Sequence, residues 1–344
     1  MKDLTKIITK FAKARVLVIG DLILDEYIWG DVERISPEAP VPVVWAKKRT
    51  FVPGGAANVA SNLRSLGAQV TLAGVVGKDV HRDIMLKDLA GRGISTQAVI
   101  EEAGRVTTLK SRIFARHQQV VRVDWEHVDP IGGPARERLL SACAKGIKKS
   151  DAVIIEDYGK GIFTNGLLAE VIALARSQGK IIAVDPKEDN FESYQGVTAI
   201  TPNRKEAQNA IRYLKMKDDR NEFKIYHDGL ASAADVKKAG YAILRHLNLT
   251  SLLITLGEQG MWLFTKDGDV HIPTVAQEVF DVSGAGDTVI ATFTLGLCAD
   301  APAREAAHIA NFAAGIVVGK VGTATTTRSE LIERIKQFHG IKDR

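Results

Sequence analysis

The chain has 344 residues, 45% hydrophobic and 25% charged, with a net charge of +5. That is enough for one large α/β domain or two smaller ones around a well-buried core. The charges are scattered, without the basic block of a nucleic-acid binder, and no apolar run reaches the roughly 18–20 residues that cross a bilayer; neither nucleic acid nor a membrane is an expected partner.

Short β-branched runs alternate with amphipathic stretches along the chain. RVLVIG (15–20) reads as the first strand, followed by GDLILDEY with Asp21 and Asp25 at its end. RISPEAPVPVVWAKKRTFV (34–52) holds three prolines and ends extended, so it is neither a helix nor a central strand. VPGGAANVASNLRSLGA (52–68) is a Gly-rich helix start whose Val59, Leu63 and Leu66 form one buried stripe. VTLAGVV (70–76) is a strand and 80–91 a helix. TLKSRIFARHQQVVRVDWE (108–126) is extended, and in a regular strand Arg112, Arg116, Gln118, Arg122 and Asp124 share one face, opposite Ile113, Val121 and Val123. Such a face is either solvated or a binding wall. Helices are expected at 135–149, 166–178 and 232–247, and strands at AVIIE (152–156), KIIAVD (180–185), SLLITL (251–256) and MWLFT (261–265). The polar stretch 215–229 reads as a loop. Strand–helix–strand repetition at this spacing implies a parallel, helix-covered sheet, and the two off-pattern segments imply a small accessory sheet.

In open parallel sheets ligands bind beyond the carboxyl ends of the strands. Four such ends carry ionisable or amide groups: Asp21 and Asp25, Asp157 and Lys160, Asp185 and Lys187, Asn203 and Glu206. Any one of them serves as a cap or turn residue; together they mark a site. DVSGAGDTVIATF (281–293) adds a second signal. Gly284, Ala285 and Gly286 open an apolar helix and leave its first N–H groups approachable by an anion, while Asp287 stands beside that anion as a working acid. Gly54 and Gly55 expose backbone at another helix start, where Asn58 offers a donor and an acceptor suited to sugar hydroxyls; a plain tight turn accounts for the glycines equally well. No GxxxxGK[ST] occurs, and no GxGxxG follows the first strand. Cys143 and Cys298 lie in apolar helical contexts and, with no CxxC or HExxH pattern, read as core thiols. The start of the sequence has no signal-peptide core, so the cytoplasm is expected.

PGGAANVASNLRSLGA and DVSGAGDTVIA are similar to the two signatures of the ribokinase-like (PfkB) carbohydrate kinases, in the family's order, with NRKE (203–206) and TLGEQG (255–260) resembling two further motifs. The resemblance covers about residues 14–335. It implies one kinase domain over 1–344: a central, mostly parallel sheet flanked by helices, with a small β-sheet lid at about 31–50 and 108–124 that doubles as a homodimer clasp. It further implies ATP and Mg²⁺, with Asp287 as catalytic base and Gly284, Ala285 and Gly286 as anion hole. Asn203, Arg204, Lys205 and Glu206 fall at the nucleotide, Glu206 reaching Mg²⁺ through water, and Gly257 and Gly260 border it. Asp25, Gly54, Gly55, Asn58 and Asp157 fall at the sugar. Asp281, Ser283 and the GKVGTATT loop are the implied site of a monovalent cation such as K⁺. GDLILDEYIWGDVERISPEAPVPVV, EDYGKGIF, VDPK and HIPTVAQEVFDVSGAGDT narrow the resemblance to the heptose-7-phosphate kinase branch. A phosphate on the acceptor needs a cation, for which Lys187, Arg112, Arg116 and Arg122 are the candidates. No GxFDxxHxGH-like nucleotidylyltransferase motif is present, so a stand-alone kinase is expected. A kinase for another sugar, or a catalytically silent sugar-binding protein on the same fold, are the alternatives.

Overall fold

The computed structural model describes residues 4–116, 118–164, 166–216, 229–276 and 278–342; most of the loop expected at 215–229 lies outside them. The strands are β1 (Arg15–Gly20), β2 (Leu22–Ile35), β3 (Pro42–Gly55), β4 (Gln69–Val76), β5 (Ser95–Glu101), β6 (Thr108–Ala115), β7 (Gln118–Trp125), β8 (Ala152–Glu156), β9 (Ile181–Asp185), β10 (Ala199–Ile200), β11 (Ser251–Thr255), β12 (Met261–Thr265) and β13 (Gly268–Ile272). The helices are α1 (Leu4–Thr9), α2 (Ala56–Ser65), α3 (Val80–Gly91), α4 (Gly133–Lys149), α5 (Leu167–Ser177), α6 (Arg204–Met216), α7 (Ala233–His246), α8 (Ala285–Cys298), α9 (Ala303–Val317) and α10 (Arg328–Lys342).

Nine strands form the main sheet in the order β13-β12-β11-β10-β9-β8-β1-β4-β5. It is parallel from β5 to β11; β12 and β13 extend it antiparallel, since the short Leu256–Gly260 connection permits only a hairpin-like return. β1 shows why both faces are covered. Val16 and Val18 belong to one buried cluster with Phe11, Leu63, Ile290 and Phe312, while Leu17 and Ile19 belong to another with Leu139, Cys143 and Val171. Alternation of fully apolar residues on a central parallel strand is what a sheet buried on both faces demands. The expected α2 stripe of Val59, Leu63 and Leu66 is fully buried. Cys143 is a core thiol as expected, and Cys298 is half-buried.

The second sheet, β3-β2-β6-β7, is larger than the segments expected for it, because β2 begins one residue after β1 and continues for 14 residues. β3, the proline-bearing segment, is an edge strand, as its prolines require. Residues 108–126 are not one strand but the hairpin β6–β7. Arg112 pairs directly with Arg122 and Lys110 with Asp124, so these side chains do share a face. Two members of the expected set leave it. Arg116 sits past the end of β6 with φ +54°, and an irregularity between Ile113 and Phe114 puts Gln118 opposite Ala115, on the other face. One extra residue inverts every later side chain.

Candidate active site

Chain order places the site. From β1 the sheet first grows outward through β4 and β5, then reverses through β8 on the other side. The carboxyl ends of β1 and β8 therefore flank a switch point, where crossover loops diverge and leave a crevice. Asp21 follows β1, and its Oδ2 accepts from the amides of Tyr158 (2.8 Å) and Lys160 (3.1 Å), fastening the loop after β8. Burial pushes the Asp21 carboxyl up to about 7.

Asp287 enters this crevice from the first turn of α8. Gly284 caps the helix with φ +77°, a left-handed conformation that glycine adopts freely. The Ala285 amide closes the turn onto the Val282 carbonyl (3.2 Å), so of the expected anion hole this member is engaged within the turn. The amides of Gly286 and Asp287 have no partner among the described residues. The Asp287 carboxylate is buried and held at both oxygens: Asn58 Nδ2 donates to Oδ2 at 2.6 Å, and the Tyr158 hydroxyl donates to Oδ1 at 3.1 Å. Burial pushes its pKa up to about 6, while these two hydrogen bonds pull it down. A second bond, from Thr288 Oγ1 to Asn62 Oδ1 (2.9 Å), continues this polar seam between α2 and α8. Asn58, expected at sugar hydroxyls, thus spends its amide donor on Asp287. Tyr158 and Asn62 were missed in the sequence, where nothing marks a tyrosine in DYGKG as a partner for a residue more than a hundred positions away.

The second sheet brings its groups over the same crevice. Arg112 Nη1 donates to Asp25 Oδ1 at 2.6 Å, and its guanidinium lies 5.5 Å from the Tyr27 ring. A side chain on Gly54 would meet Asp25 Oδ2 at 2.5 Å, so the glycine makes room for that carboxylate. The Tyr27 hydroxyl is 3.1 Å from Thr323 Oγ1, joining this sheet to the loop after α9. Arg122 is paired with Asp124 at 2.9 Å. Arg116 lies exposed at the hairpin turn, away from Asp25 and Arg112 along the strand. Asp157 does not face the crevice as an open group: Gly159 N, Asn190 Nδ2 and Tyr194 Oη fill its carboxylate at 3.0, 2.7 and 2.7 Å, making it the fastener of two loops.

On the other flank, Asn203 and Glu206 cap α6 reciprocally. Asn203 Oδ1 accepts from the Glu206 amide (3.0 Å), and Glu206 Oε2 accepts from the Asn203 amide (2.8 Å). Arg204 is spent on the Leu230 carbonyl and Gln259 Oε1, bracing the turn after β11, and Lys205 is exposed. Gly257 and Gly260 take φ +63° and +83° in that turn; Gly257 faces open space, whereas Gly260 packs on the Ile272–Thr274 backbone. The Lys187 side chain runs beside Gly159, and its charge acts on Glu206. Asp281 accepts from the amides of Ser283 (2.9 Å) and Gly322 (3.1 Å), tying the loop before α8 to the 319–323 loop. Glu206 and Asn203 both carry side-chain oxygens, the ligand type that suits Mg²⁺.

Helix-covered parallel strands, a sheet switch point and a β-sheet standing over it define the ribokinase-like α/β fold. Solved structures share it: Arabidopsis thaliana ribokinase complexed with ribose and ATP aligns over 94% of this chain and 99% of its own (TM-score 0.71, 17% identity). Escherichia coli phosphofructokinase-2 in complex with potassium aligns over 95% and 99% (TM-score 0.74, 17% identity). The chain belongs to the pfkB family of carbohydrate kinases, whose model matches residues 13–330, and it is an ATP-dependent sugar kinase. Among curated relatives it is similar to the bifunctional protein HldE of Geobacter metallireducens, 44% identical over 97% of this chain and 66% of that one, and to that of Helicobacter pylori, 43% identical over 94% and 67%. The chain thus spans about two thirds of the length of these relatives. No helix among the described residues is long and apolar enough to cross a membrane.

Proposed function

We propose that this kinase transfers the γ-phosphoryl group of ATP to the anomeric hydroxyl of D-glycero-β-D-manno-heptose 7-phosphate. The product is the 1,7-bisphosphate, an intermediate on the way to ADP-heptose for the lipopolysaccharide core, made in the cytoplasm. One observation carries the chemistry: the buried Asp287 carboxylate is gripped at both oxygens directly behind the open amides that start α8. The segments resembling the heptose-7-phosphate kinase branch, and the similarity to relatives bearing the name HldE, support the choice of sugar.

In this reading Asp287 takes the proton of the attacking hydroxyl, and Asn58 and Tyr158 hold its carboxylate in line. The amides of Gly286 and Asp287 meet charge on the transferring group, the main requirement of phosphoryl transfer. Glu206 and Asn203 would hold Mg²⁺ through water, and the ion would supply neutralisation of phosphate charge. Asp281 with the 319–323 loop would bind K⁺. Asp25, Gly54 and Gly55 contact the sugar, and the second sheet closes over it. That sheet exposes Trp45, Trp125, Val121 and Val123, apolar surface that a homodimer covers; a dimeric mass in sedimentation analysis is the expected result.

The test is ADP release across a panel of sugar phosphates. Turnover confined to fructose or ribose phosphates moves the enzyme to another branch, and tight sugar binding without turnover makes it a silent binder. Two variants refine the reading. Arg112→Ala is expected to raise KM for the sugar phosphate about 10- to 100-fold and leave KM for ATP unchanged, as loss of a charge-assisted contact requires. Arg122→Ala has a smaller effect, because its side chain is half exposed to solvent whereas that of Arg112 is mostly buried. Tyr158→Phe is expected to lower kcat/KM about 5- to 10-fold. Its hydroxyl favours the ionised form of Asp287, so the acid limb of the pH–rate profile moves to higher pH in the variant. An unshifted limb removes Tyr158 from that role.

A further inference from the structure

Asn62 takes no part in the chemistry above, yet it stands one helical turn behind Asn58, the residue that holds the base. Positions four apart on a helix share a face, so these two side chains of α2 meet. Asn62 Nδ2 donates to the Asn58 carbonyl at 3.0 Å and to Asn58 Oδ1 at 3.3 Å. Its own Oδ1 accepts from Thr288 Oγ1 at 2.9 Å. Asn58, Asn62 and Thr288 are all buried.

An asparagine amide keeps nearly the same shape when it turns over, but turning over exchanges its donor for its acceptor. The seam fixes each amide in order. A backbone carbonyl only accepts, so the Asn62 atom facing the Asn58 carbonyl must be Nδ2. Nδ2 has a second proton, and this one meets Asn58 Oδ1. With its oxygen turned toward Asn62, Asn58 has only Nδ2 to present to Asp287, and does so at 2.6 Å. Thr288 adds a bond but no direction, because its single proton has another acceptor in the Gly284 carbonyl at 3.1 Å.

We propose that Asn62 is a positioning residue, which fixes the Asn58 amide with its donor toward the base and denies it the reverse orientation. A freely turning Asn58 would donate to Asp287 when the acid is ionised and accept from it when the acid is protonated, so both forms would gain a bond. Locked as it is, Asn58 stabilises only the ionised form, the one that can take a proton from the sugar. The other ionisable groups that face Asp287 are Asp25 of β2, Tyr158 after β8, Glu156 at the end of β8 and Asp185 at the end of β9. Arg112 is paired with Asp25, and Arg64, the one charged residue of α2, is tied to the Arg92 carbonyl. The variants below alter none of these groups. The proposal rests on Asp287 as the base and is independent of which sugar is phosphorylated.

Asn62→Leu and Asn62→Ser test it. Leucine removes both donated protons. Serine, smaller than asparagine, fits the same space and keeps one proton; it goes to the Asn58 carbonyl, as that of Ser61 goes to Ala57 at 2.8 Å, and Asn58 Oδ1 is left without a donor. In either variant the Asp287 carboxyl is expected to titrate about 0.5–1 pH unit above its present value of about 6, the worth of one hydrogen bond. Carbon-13 NMR of that carboxyl, assigned by its loss in Asp287→Asn, reads the shift without turnover. In the pH–rate profile, kcat/KM falls about 2- to 5-fold near pH 6 and returns to the wild-type level at about pH 8.5. Thr288→Val is the comparison: it lowers the melting temperature and leaves both titrations in place. An unmoved carboxyl in both Asn62 variants, or an equal shift in Thr288→Val, overturns the proposal. A carboxyl that shifts while the rate profile does not supports the locked amide and instead removes Asp287 as the base, so the two failures are distinguishable.

Discussion

Asp287→Asn is expected to lower kcat by about 10³-fold or more while leaving ATP affinity within about threefold. General-base catalysis contributes some 10² to 10⁴ in rate, and neither group that holds this carboxylate can take over, since Asn58 and the un-ionised Tyr158 both face it as donors. The pH dependence has a definite sign. The base works ionised, and burial places its pKa at about 6, so wild-type kcat/KM falls as pH drops through 6. Stability moves the opposite way. A carboxyl whose folded pKa lies above its unfolded value of 3.8 binds protons more tightly when folded, so its ionisation removes stability as pH rises from about 4 to about 6. The ceiling on that cost is about 3 kcal/mol. Asp287→Asn escapes it but faces Asn58 with a second amide donor, which offsets part of the gain. Urea denaturation at pH 5 and 7.5 is expected to show a variant whose stability relative to wild type improves at the higher pH. A variant that keeps most of the wild-type rate takes Asp287 out of the mechanism.

Gly284→Ala is the second large effect. The left-handed backbone at φ +77° costs a non-glycine residue about 1–2 kcal/mol. The added methyl would also meet Asn58 Nδ2 at 2.6 Å and Thr323 Cγ2 at 2.7 Å. Asn58 is the residue that holds Asp287, so the strain is delivered to the base. A displacement of about 1 Å at a reacting group costs about 10² in rate, and a fall in kcat of that order is expected with a loss of about 2–3 kcal/mol in stability. Gly286→Ala is the control for the stability part. A methyl there meets open space, and in a helix alanine is favoured over glycine by about 1 kcal/mol. That variant should unfold no earlier than wild type. Equal destabilisation by both substitutions contradicts the argument from Gly284 geometry.

Much of the scaffold was legible because it rests on short-range periodicity. The alternation in RVLVIG, the Val59–Leu63–Leu66 stripe and the small residues before α8 each declare their structure within a few residues. The helices expected at 80–91, 135–149, 166–178 and 232–247 match α3, α4, α5 and α7 to within two residues at each end. β5 and β13 were not read, since both lie at edges of the main sheet and carry mixed rather than continuous burial. The hairpin β6–β7 was read as one strand because a residue's face depends on where the chain turns back, which period-2 counting does not contain.

The sequence by itself determined the helix-covered parallel sheet, the glycine turn that opens α8, and the acids stationed at strand ends, since each follows from local backbone preference and side-chain spacing. Only the tertiary structure decided which acids are open and which are spent. It closed Asp157 into its own loops, drew Asn58 to Asp287 across 229 positions, and set Glu156 against Asp185 with no hydrogen-bond partner for its carboxylate among the described residues. Those outcomes depend on strand register and helix packing between distant segments, and a carboxylate's hydrogen bonds and pKa are properties of the neighbours that folding supplies.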